Sequence, residues 1–191
     1  REQISAELPE VDAFLGTGAY DEILKVIEGP AEKGTCLLPD PDSITPQGPD
    51  SPRKLDADSA MAYLKIAEGC SRHCTYCIIP KLRGRQKSRP MADIISEAGS
   101  LVAKGIKEVV LVAQDTTFYG RDLGPGYGLA DLLEGLARAH PDLWIRFLYG
   151  HPESIRPDVF AVVSKHLNIC SYFDIPIQHA SDRVLKKMGR R

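Results

Sequence analysis

The sequence predicts a parallel α/β fold over residues 59–191, and three observations carry that expectation. From about residue 60 onward, apolar strand-like runs alternate with segments of helical periodicity in the order βαβαβαβα. The run Glu108-Val109-Val110-Leu111-Val112-Ala113 is apolar almost without interruption, as in a strand covered on both faces. Proline and glycine punctuate the alternation: Pro90 and Pro157 stand near helix starts, and Gly105 stands just past a helix end.

The elements follow in order. Residues 11–15 (Val-Asp-Ala-Phe-Leu) read as a strand, Gly16-Thr17-Gly18 as a turn, and 20–27 as a helix with Ile23, Leu24 and Ile27 on one stripe. One strand–turn–helix unit cannot bury its own apolar faces, so residues 1–29 read as the end of another α/β domain. Residues 30–58 read as a linker, because six of the chain's 14 prolines fall there and proline lacks the donor that helices and central strands need. Residues 60–67 form a first strand, ending at Gly69. A helix over 91–104 follows, its stripe being Met91, Ile94, Ile95, Ala98, Leu101 and Val102. After the strand at 108–113 comes a glycine-rich loop, 114–127, then a helix carrying Leu129, Leu132, Leu133, Leu136 and Ala137 on one face. A strand at 143–149, a helix at 154–167, a strand at 171–177 and a helix at 181–188 with Ser181 at its N-cap complete the series.

Composition bounds the function. Hydrophobic residues make up 43% and charged residues 26% of the 191, as in an ordinary globular protein. No apolar run approaches the roughly 20 residues that cross a bilayer, and the first residues lack the pattern of a secretory signal, which points to the cytoplasm. The net charge is −2, but residues 1–60 carry −8 and residues 61–191 carry +6, so two segments with different roles are expected. Five cysteines, three of them packed into eight residues, make a poor disulfide framework and a better set of metal ligands.

In parallel α/β folds the chemistry sits beyond the C-terminal ends of the strands. The first such loop, 68–90, contains Gly69-Cys70-Ser71-Arg72-His73-Cys74-Thr75-Tyr76-Cys77, a C-x3-C-x2-C spacing. Three thiolates on a short loop can hold three corners of an iron–sulfur cube and leave the fourth iron open to a ligand. The alternative is a structural zinc held by Cys70, Cys74, Cys77 and a histidine, although zinc sites usually pair two short hairpins and no second cysteine pair is present. Lys81, Arg83, Arg85, Lys87 and Arg89 then alternate without an intervening acid. They read as an electropositive rim in part and as solvated or carbonyl-bonded loop residues in part, with Arg83 or Arg89 the better candidates for the site. His151 and His179 follow the third and fourth strands and are weighed as active-face residues or hydrogen-bonded loop histidines. His140 and His166 read as helix C-terminal caps. Cys170 reads as a small buried apolar residue, and Cys36 matches no ligand motif. Gly16-Thr17-Gly18 lacks the Gly-Lys-Ser/Thr of a phosphate loop.

The three-cysteine motif, with an aromatic before its last cysteine and placed after the first strand of a β/α series, resembles the radical S-adenosylmethionine (SAM) superfamily. Lys65-Ile66-Ala67-Glu68-Gly69-Cys70, Cys77-Ile78-Ile79-Pro80, Arg83-Gly84 and Ser88-Arg89-Pro90 are similar to the methylthiotransferases within it. The segments 113–120 (Ala-Gln-Asp-Thr-Thr-Phe-Tyr-Gly) and 174–181 (Asp-Ile-Pro-Ile-Gln-His-Ala-Ser) resemble the branch that modifies ribosomal protein S twelve, the RimO type. Relatives that modify tRNA adenosine tend to have Asn where Asp115 stands and Ser-Gly where His179-Ala180 stand; they are the alternative within the class. A zinc-stabilised interaction module is the alternative outside it.

The resemblance implies an incomplete parallel (β/α) barrel of the radical SAM type, here truncated to about four β/α units and preceded by the end of an α/β N-terminal domain. It implies that Cys70, Cys74 and Cys77 ligate a [4Fe–4S] cluster and that SAM occupies the open iron. Reductive cleavage of SAM would give a 5′-deoxyadenosyl radical, which would take a hydrogen from the β-carbon of an aspartate on the way to a methylthio product. Tyr76 would lie near the adenine, with Gln114 and Asp115 near SAM. No side chain is singled out as catalytic, because the cofactors carry the hard chemistry. The implied partners are ribosomal protein S twelve or the small ribosomal subunit, and an electron donor; a second [4Fe–4S] cluster is expected in the rest of the N-terminal domain. The fragment is not expected to perform the full reaction.

Overall fold

The computed structural model describes residues 2–29, 34–46, 48, 53–56 and 59–190. Its centre is a three-stranded parallel sheet in the order β3 (Met61–Lys65), β6 (Glu108–Val112), β7 (Trp144–Phe147). The register aligns Ala62, Val109 and Ile145 in one row and Leu64, Leu111 and Phe147 in another. Because side chains alternate along a strand, all six point to the same face, and all six are buried in the main core. The central strand β6 is buried through its middle three residues, as its apolar run predicts. Strand β3 instead alternates, with Met61 and Tyr63 exposed on the opposite face.

Three helices cover the apolar face. They are α4 (Met91–Ala103), α5 (Leu129–Ala139) and α6 (Pro157–Lys165), and α5 packs between the other two. Their inward residues are those of the expected stripes: Ile94, Ala98 and Leu101 on α4, and Leu132, Leu133 and Leu136 on α5. Each fully buried leucine contributes about 1.5–3 kcal/mol through removal of apolar surface from water. Gly105 ends α4 with φ +92°, which lets Ile106 N donate back to Leu101 O (3.1 Å). Because β3, β6 and β7 pair in parallel, their C-terminal ends all lie on one side of the sheet.

The fourth strand expected at 171–177 does not form a ladder. The chain meets β7 through a single parallel bridge, Ile145 with Ile169, and through Cys170 N donating to Ile145 O (2.8 Å). Farther along, Gly150 N donates to Asp174 O (2.9 Å) and Tyr149 N to the Asp174 carboxylate (3.0 Å). The segment therefore follows the sheet edge without regular pairing, and Pro176 has no donor to offer. The helix after it, α7 (Asp182–Lys187), begins at Ser181, but the serine side chain makes no cap bond; its amide donates to His179 Nδ1 (2.8 Å) instead. His140 and His166 do follow α5 and α6, yet their rings reach sideways, His140 Nε2 to Ile95 O (3.1 Å) and His166 Nε2 to the Glu134 carboxylate (2.6 Å).

The N-terminal unit begins with α1 (Glu2–Glu7), which lacks a sequence signal, and continues through β1 (Ala13–Leu15) and α2 (Ile23–Glu28). Segment 30–58 contains more than a linker. Thr35–Leu37 forms β2, parallel to β1 in the register Ala13 with Thr35. Polar ties join this segment to the main body: the Asp42 carboxylate accepts from Arg85 N (2.7 Å), Lys87 Nζ donates to Pro41 O (2.8 Å), and Arg53 donates to Tyr63 O (2.8 Å) and the Glu97 carboxylate (2.9 Å). Pro30, Pro49 and Pro52 lie outside the described residues. Helix α2 buries none of its residues, and Ile23, Leu24 and Ile27 are exposed, as expected of a unit that cannot cover itself. No helix among the described residues is long and apolar enough to cross a membrane.

Candidate functional site

The site is built on the loop that leaves β3. After Ile66 the chain forms β4 (Ala67–Glu68), which pairs antiparallel with β5 (Lys87–Ser88) and folds the loop back on itself. Two further bonds close this collar, Arg89 N to Ile66 O (2.9 Å) and Cys70 N to Gly84 O (3.0 Å). At the fold sits Gly69, with φ +79°; a Cβ there would lie 2.2 Å from Arg85 O. The collar thus needs a residue without a side chain immediately before Cys70. The short helix α3 (Ile79–Arg83) follows Cys77.

The far side of the loop is held by the end of α7. Thr75 N donates to Met188 O (3.1 Å) and Thr75 Oγ1 to Lys187 O (3.0 Å). Gly189, at φ +71°, passes so close that a Cβ would lie 2.7 Å from His73 O. Clamped on both sides, the loop presents Cys70, Cys74 and Cys77 to one cavity at the C-terminal end of the sheet. Cys70 is buried and Cys77 is exposed; all three are free thiols. Burial pushes the Cys70 thiol up, and the Asp115 carboxylate and the other two sulfurs add to the rise. Among the described residues no group of three or more His, Cys, Asp or Glu side chains is already gathered around a single ion position. Three free thiols on one short loop, all lining one cavity, are the soft donor set that an iron–sulfur cluster takes.

The other sequence-derived residues converge on the same cavity. Tyr76, Gln114 and Asp115 line it with the cysteines. Asp115 is almost fully buried, and its carboxylate is occupied: Thr117 Oγ1 donates to Oδ1 (2.7 Å), Ser154 Oγ reaches both oxygens (3.3 and 3.2 Å), and Arg72 Nε donates to Oδ2 (3.1 Å). His151 lines the cavity from the loop after β7; burial and the Arg72 charge hold its imidazole below the usual histidine range. His179, weighed equally in the sequence, is exposed and does not line the cavity.

The basic run does not supply the rim. Arg83 pairs with the buried Glu68 carboxylate (2.8 Å), which Lys65 also reaches (2.8 Å). Burial raises Glu68, but these two cations outweigh it and hold the carboxyl below its ordinary range. Arg89 is buried, donates to Lys65 O (2.7 Å) and pairs with Glu97 (2.7 Å). Both arginines are structural ties of the collar. The cations that reach the cavity are Arg72 and Arg190, and neither was singled out in the sequence; Gln178 and Ile79 also line it unforeseen. Gln178 stands at φ 64°, a conformation that costs a non-glycine residue energy and is met at functional sites. The one available signal was position: Arg72 lies inside the cysteine motif and Gln178 follows a strand-like segment.

Four polar atoms of this lining are buried without a partner: Arg72 Nη2, Gln114 Oε1, His151 Nε2 and Arg190 Nε. Each unsatisfied group costs about 1–3 kcal/mol. Others lie elsewhere, on Gln86, Arg89 and Asp158, but these four belong to residues that share one cavity with three thiols, as the wall of a polar ligand site would.

The comparisons with known proteins agree with this geometry. The family model described as the Radical SAM superfamily matches residues 64–191. The chain is 53% identical to a protein of Desulfosudis oleivorans named ribosomal protein uS12 methylthiotransferase RimO, over 100% of this chain and 43% of that protein. It is 49% identical to the protein of the same name from Clostridioides difficile, again over 100% of this chain and 43% of the other. The chain thus spans less than half the length of these relatives. Among solved structures it resembles the radical S-adenosylmethionine methyltransferase TsrM from Kitasatospora setae, with TM-score 0.57 and 17% identity over 78% of this chain and 29% of that one. That likeness is one of fold. One TsrM structure has cobalamin and a [4Fe-4S] cluster bound.

Proposed function

The chain belongs to the radical SAM superfamily, and from that premise we propose that it is the SAM-binding core of a methylthiotransferase acting on an aspartate of ribosomal protein uS12. The observation that carries the reading is the convergence of Cys70, Cys74 and Cys77, on the loop after the first sheet strand, with buried unpaired polar atoms around one cavity. Superfamily membership implies a [4Fe–4S] cluster and SAM. The residues present fit them. The thiols are free and spread around the cavity, and its wall offers both donors and an acceptor for a polar cosubstrate.

In this reading Cys70, Cys74 and Cys77 are the cluster ligands. When bound, the cluster and SAM supply the one-electron cleavage chemistry that removes a hydrogen from an unactivated carbon. The protein's part is to position and to exclude water. The collar and the α7 end fix the cysteine loop from both sides, so the thiolates need little reorganisation to receive the cluster. Cys70, buried beneath the loop, keeps its corner dry, while the exposed Cys77 leaves the opposite side accessible. Tyr76 presents its ring at the cavity mouth, where it would stack on the adenine of SAM. Gln114 Oε1 is an acceptor held free for a ligand N–H or O–H. The uS12 assignment rests on the relatives of that name and makes the small ribosomal subunit and an electron donor the partners. A second cluster belongs, in this reading, to the part of the relatives' length that the chain does not span.

Anaerobic reconstitution with iron and sulfide tests the cofactor reading. About four irons per chain with a brown chromophore are expected. Cys74→Ala should abolish assembly, whereas Cys36→Ala and Cys170→Ala should leave it intact. Stoichiometric zinc without colour, or cluster loss in Cys170→Ala, would overturn the assignment. For the substrate, mass spectrometry after deletion of the full-length gene should show unmodified uS12 and unchanged tRNA; the reverse pattern would move the enzyme to the tRNA branch.

A further inference from the structure

We propose that Arg72 recognises a carboxylate inside the cavity, and that Asp115 acts as its positioning residue. The proposal rests on the reading of this cavity as the SAM-binding site. Arg72 is held from two elements that lie far apart in the chain. Its Nε donates to Asp115 Oδ2 (3.1 Å), and its Nη1 donates to the Glu153 carboxylate (3.2 Å). The Phe118 ring lies under the guanidinium at 5.4 Å and restricts its plane. What remains is Nη2, which is buried and has no partner, on a residue that lines the cavity. Here two anions fix the group so that its last nitrogen is offered to something else.

The chemistry of that ligand follows from the neighbours. Arg190 Nε is a second buried donor without a partner in the same wall, and Arg190 is anchored by Nη1 donating to Pro176 O (2.8 Å). Gln114 Oε1 is an unpaired acceptor in that wall. Arg72 and Arg190 bring two positive charges, and the Asp115 and Glu153 carboxylates that hold Arg72 bring two negative ones, so the group has no excess of positive charge for a phosphate dianion. A single planar carboxylate carried next to an N–H donor fits all three atoms. Two molecules present such a pair: the methionyl end of SAM, and an aspartyl residue of the acceptor protein with its own backbone amide. Asp115 itself is not free for either, because Thr117, Ser154 and Arg72 saturate its oxygens. Its effect on the ligand is exerted through Arg72.

The test is titration calorimetry on the reconstituted chain, with iron content and unfolding midpoint as controls. The probes are SAM and decarboxylated SAM, then uS12 and uS12 with its acceptor aspartate changed to asparagine. If the methionyl carboxylate is the ligand, Arg72→Gln weakens SAM about 10- to 100-fold and leaves decarboxylated SAM unchanged. If the acceptor is the ligand, SAM affinity is retained and the preference for aspartate over asparagine in uS12 collapses by the same factor. Arg72→Lys, which keeps the charge but not the fork, should fold and recover part of the discrimination. Asp115→Asn should reduce the discrimination while retaining the cluster, a change that a purely structural role would not produce. Equal carboxylate discrimination in wild type and Arg72→Gln, on both probe pairs and with the cluster intact, overturns the proposal alone. A wild-type chain that assembles no cluster overturns the underlying reading and the proposal with it.

Discussion

Replacing Gly69 by alanine should damage both stability and cofactor loading, and the structure sets the scale. The residue sits at φ +79°, where an L-side chain costs roughly 1–2 kcal/mol. The added Cβ would also meet Arg85 O at 2.2 Å and Gly84 O at 2.7 Å, both rigid backbone atoms. Relief requires the collar to open, which sacrifices Cys70 N to Gly84 O and strains the β4–β5 pairing. At about 0.5–1.5 kcal/mol per hydrogen bond, two or three bonds add about 1–4 kcal/mol. The expected loss is therefore about 2–6 kcal/mol. Gly105→Ala is the control, since Gly105 has φ +92° but open space around its Cβ position and should lose only the conformational part, about 1–2 kcal/mol. Equilibrium urea unfolding of both variants measures the difference, and iron content after reconstitution reports whether Cys70 is displaced. Equal losses for the two glycines, with full iron in Gly69→Ala, would refute the close-approach argument.

Two other predictions concern the core and the surface. Leu132 on α5 is fully buried between the sheet and the flanking helices, so Leu132→Ala should cost about 2–5 kcal/mol, seen as a lowered urea midpoint. Glu134 on the same helix is hydrogen-bonded by Lys165 and His166 and paired with Arg138, which together hold its carboxyl down at about 2. Folding thus favours the ionised form: the contribution is complete above the ordinary carboxylate value of 4.5 and is lost as pH falls towards 2. Wild type and Glu134→Gln should accordingly differ in unfolding midpoint at pH 6 and converge near pH 2; a constant gap would show that the pairing contributes nothing.

What could be read in the sequence was what depends on local pattern. Helix α4 follows its apolar stripe and stops where Gly105 allows a left-handed turn, and β6 follows from five residues with almost no polar interruption. The cysteine loop was legible as a candidate site because three thiols share eight residues after a strand, and the structure turns all three into one cavity. The misses are those that tertiary contacts decide. Strands β4 and β5 have two residues each, too few to show any period, and exist because Gly69 lets the chain turn back. Strand β2 lies in a proline-rich stretch and is stabilised by β1 across a crossover. Segment 171–177 has strand-like residues, yet only one bridge forms. In the site, Arg72 gains its meaning from Asp115 and Glu153, 43 and 81 positions away, which no local window contains. The evenly spaced basic run attracted attention by its regularity, but Arg83 and Arg89 are consumed by Glu68 and Glu97.

The bonds from Thr75 to Lys187 and Met188 have a consequence in time. One side of the cysteine loop is pinned by residues synthesised 112 positions later. At about 5–20 residues per second, the ribosome takes roughly 6–20 s to make that stretch, and longer for it to clear the exit tunnel. During that interval the three thiols lack the clamp that orders them. If they hold a cluster, as proposed, it either reaches them late, after α7 has docked, or meets a loop that is not yet ordered. The cysteine loop is thus among the last parts of the fold to be fixed.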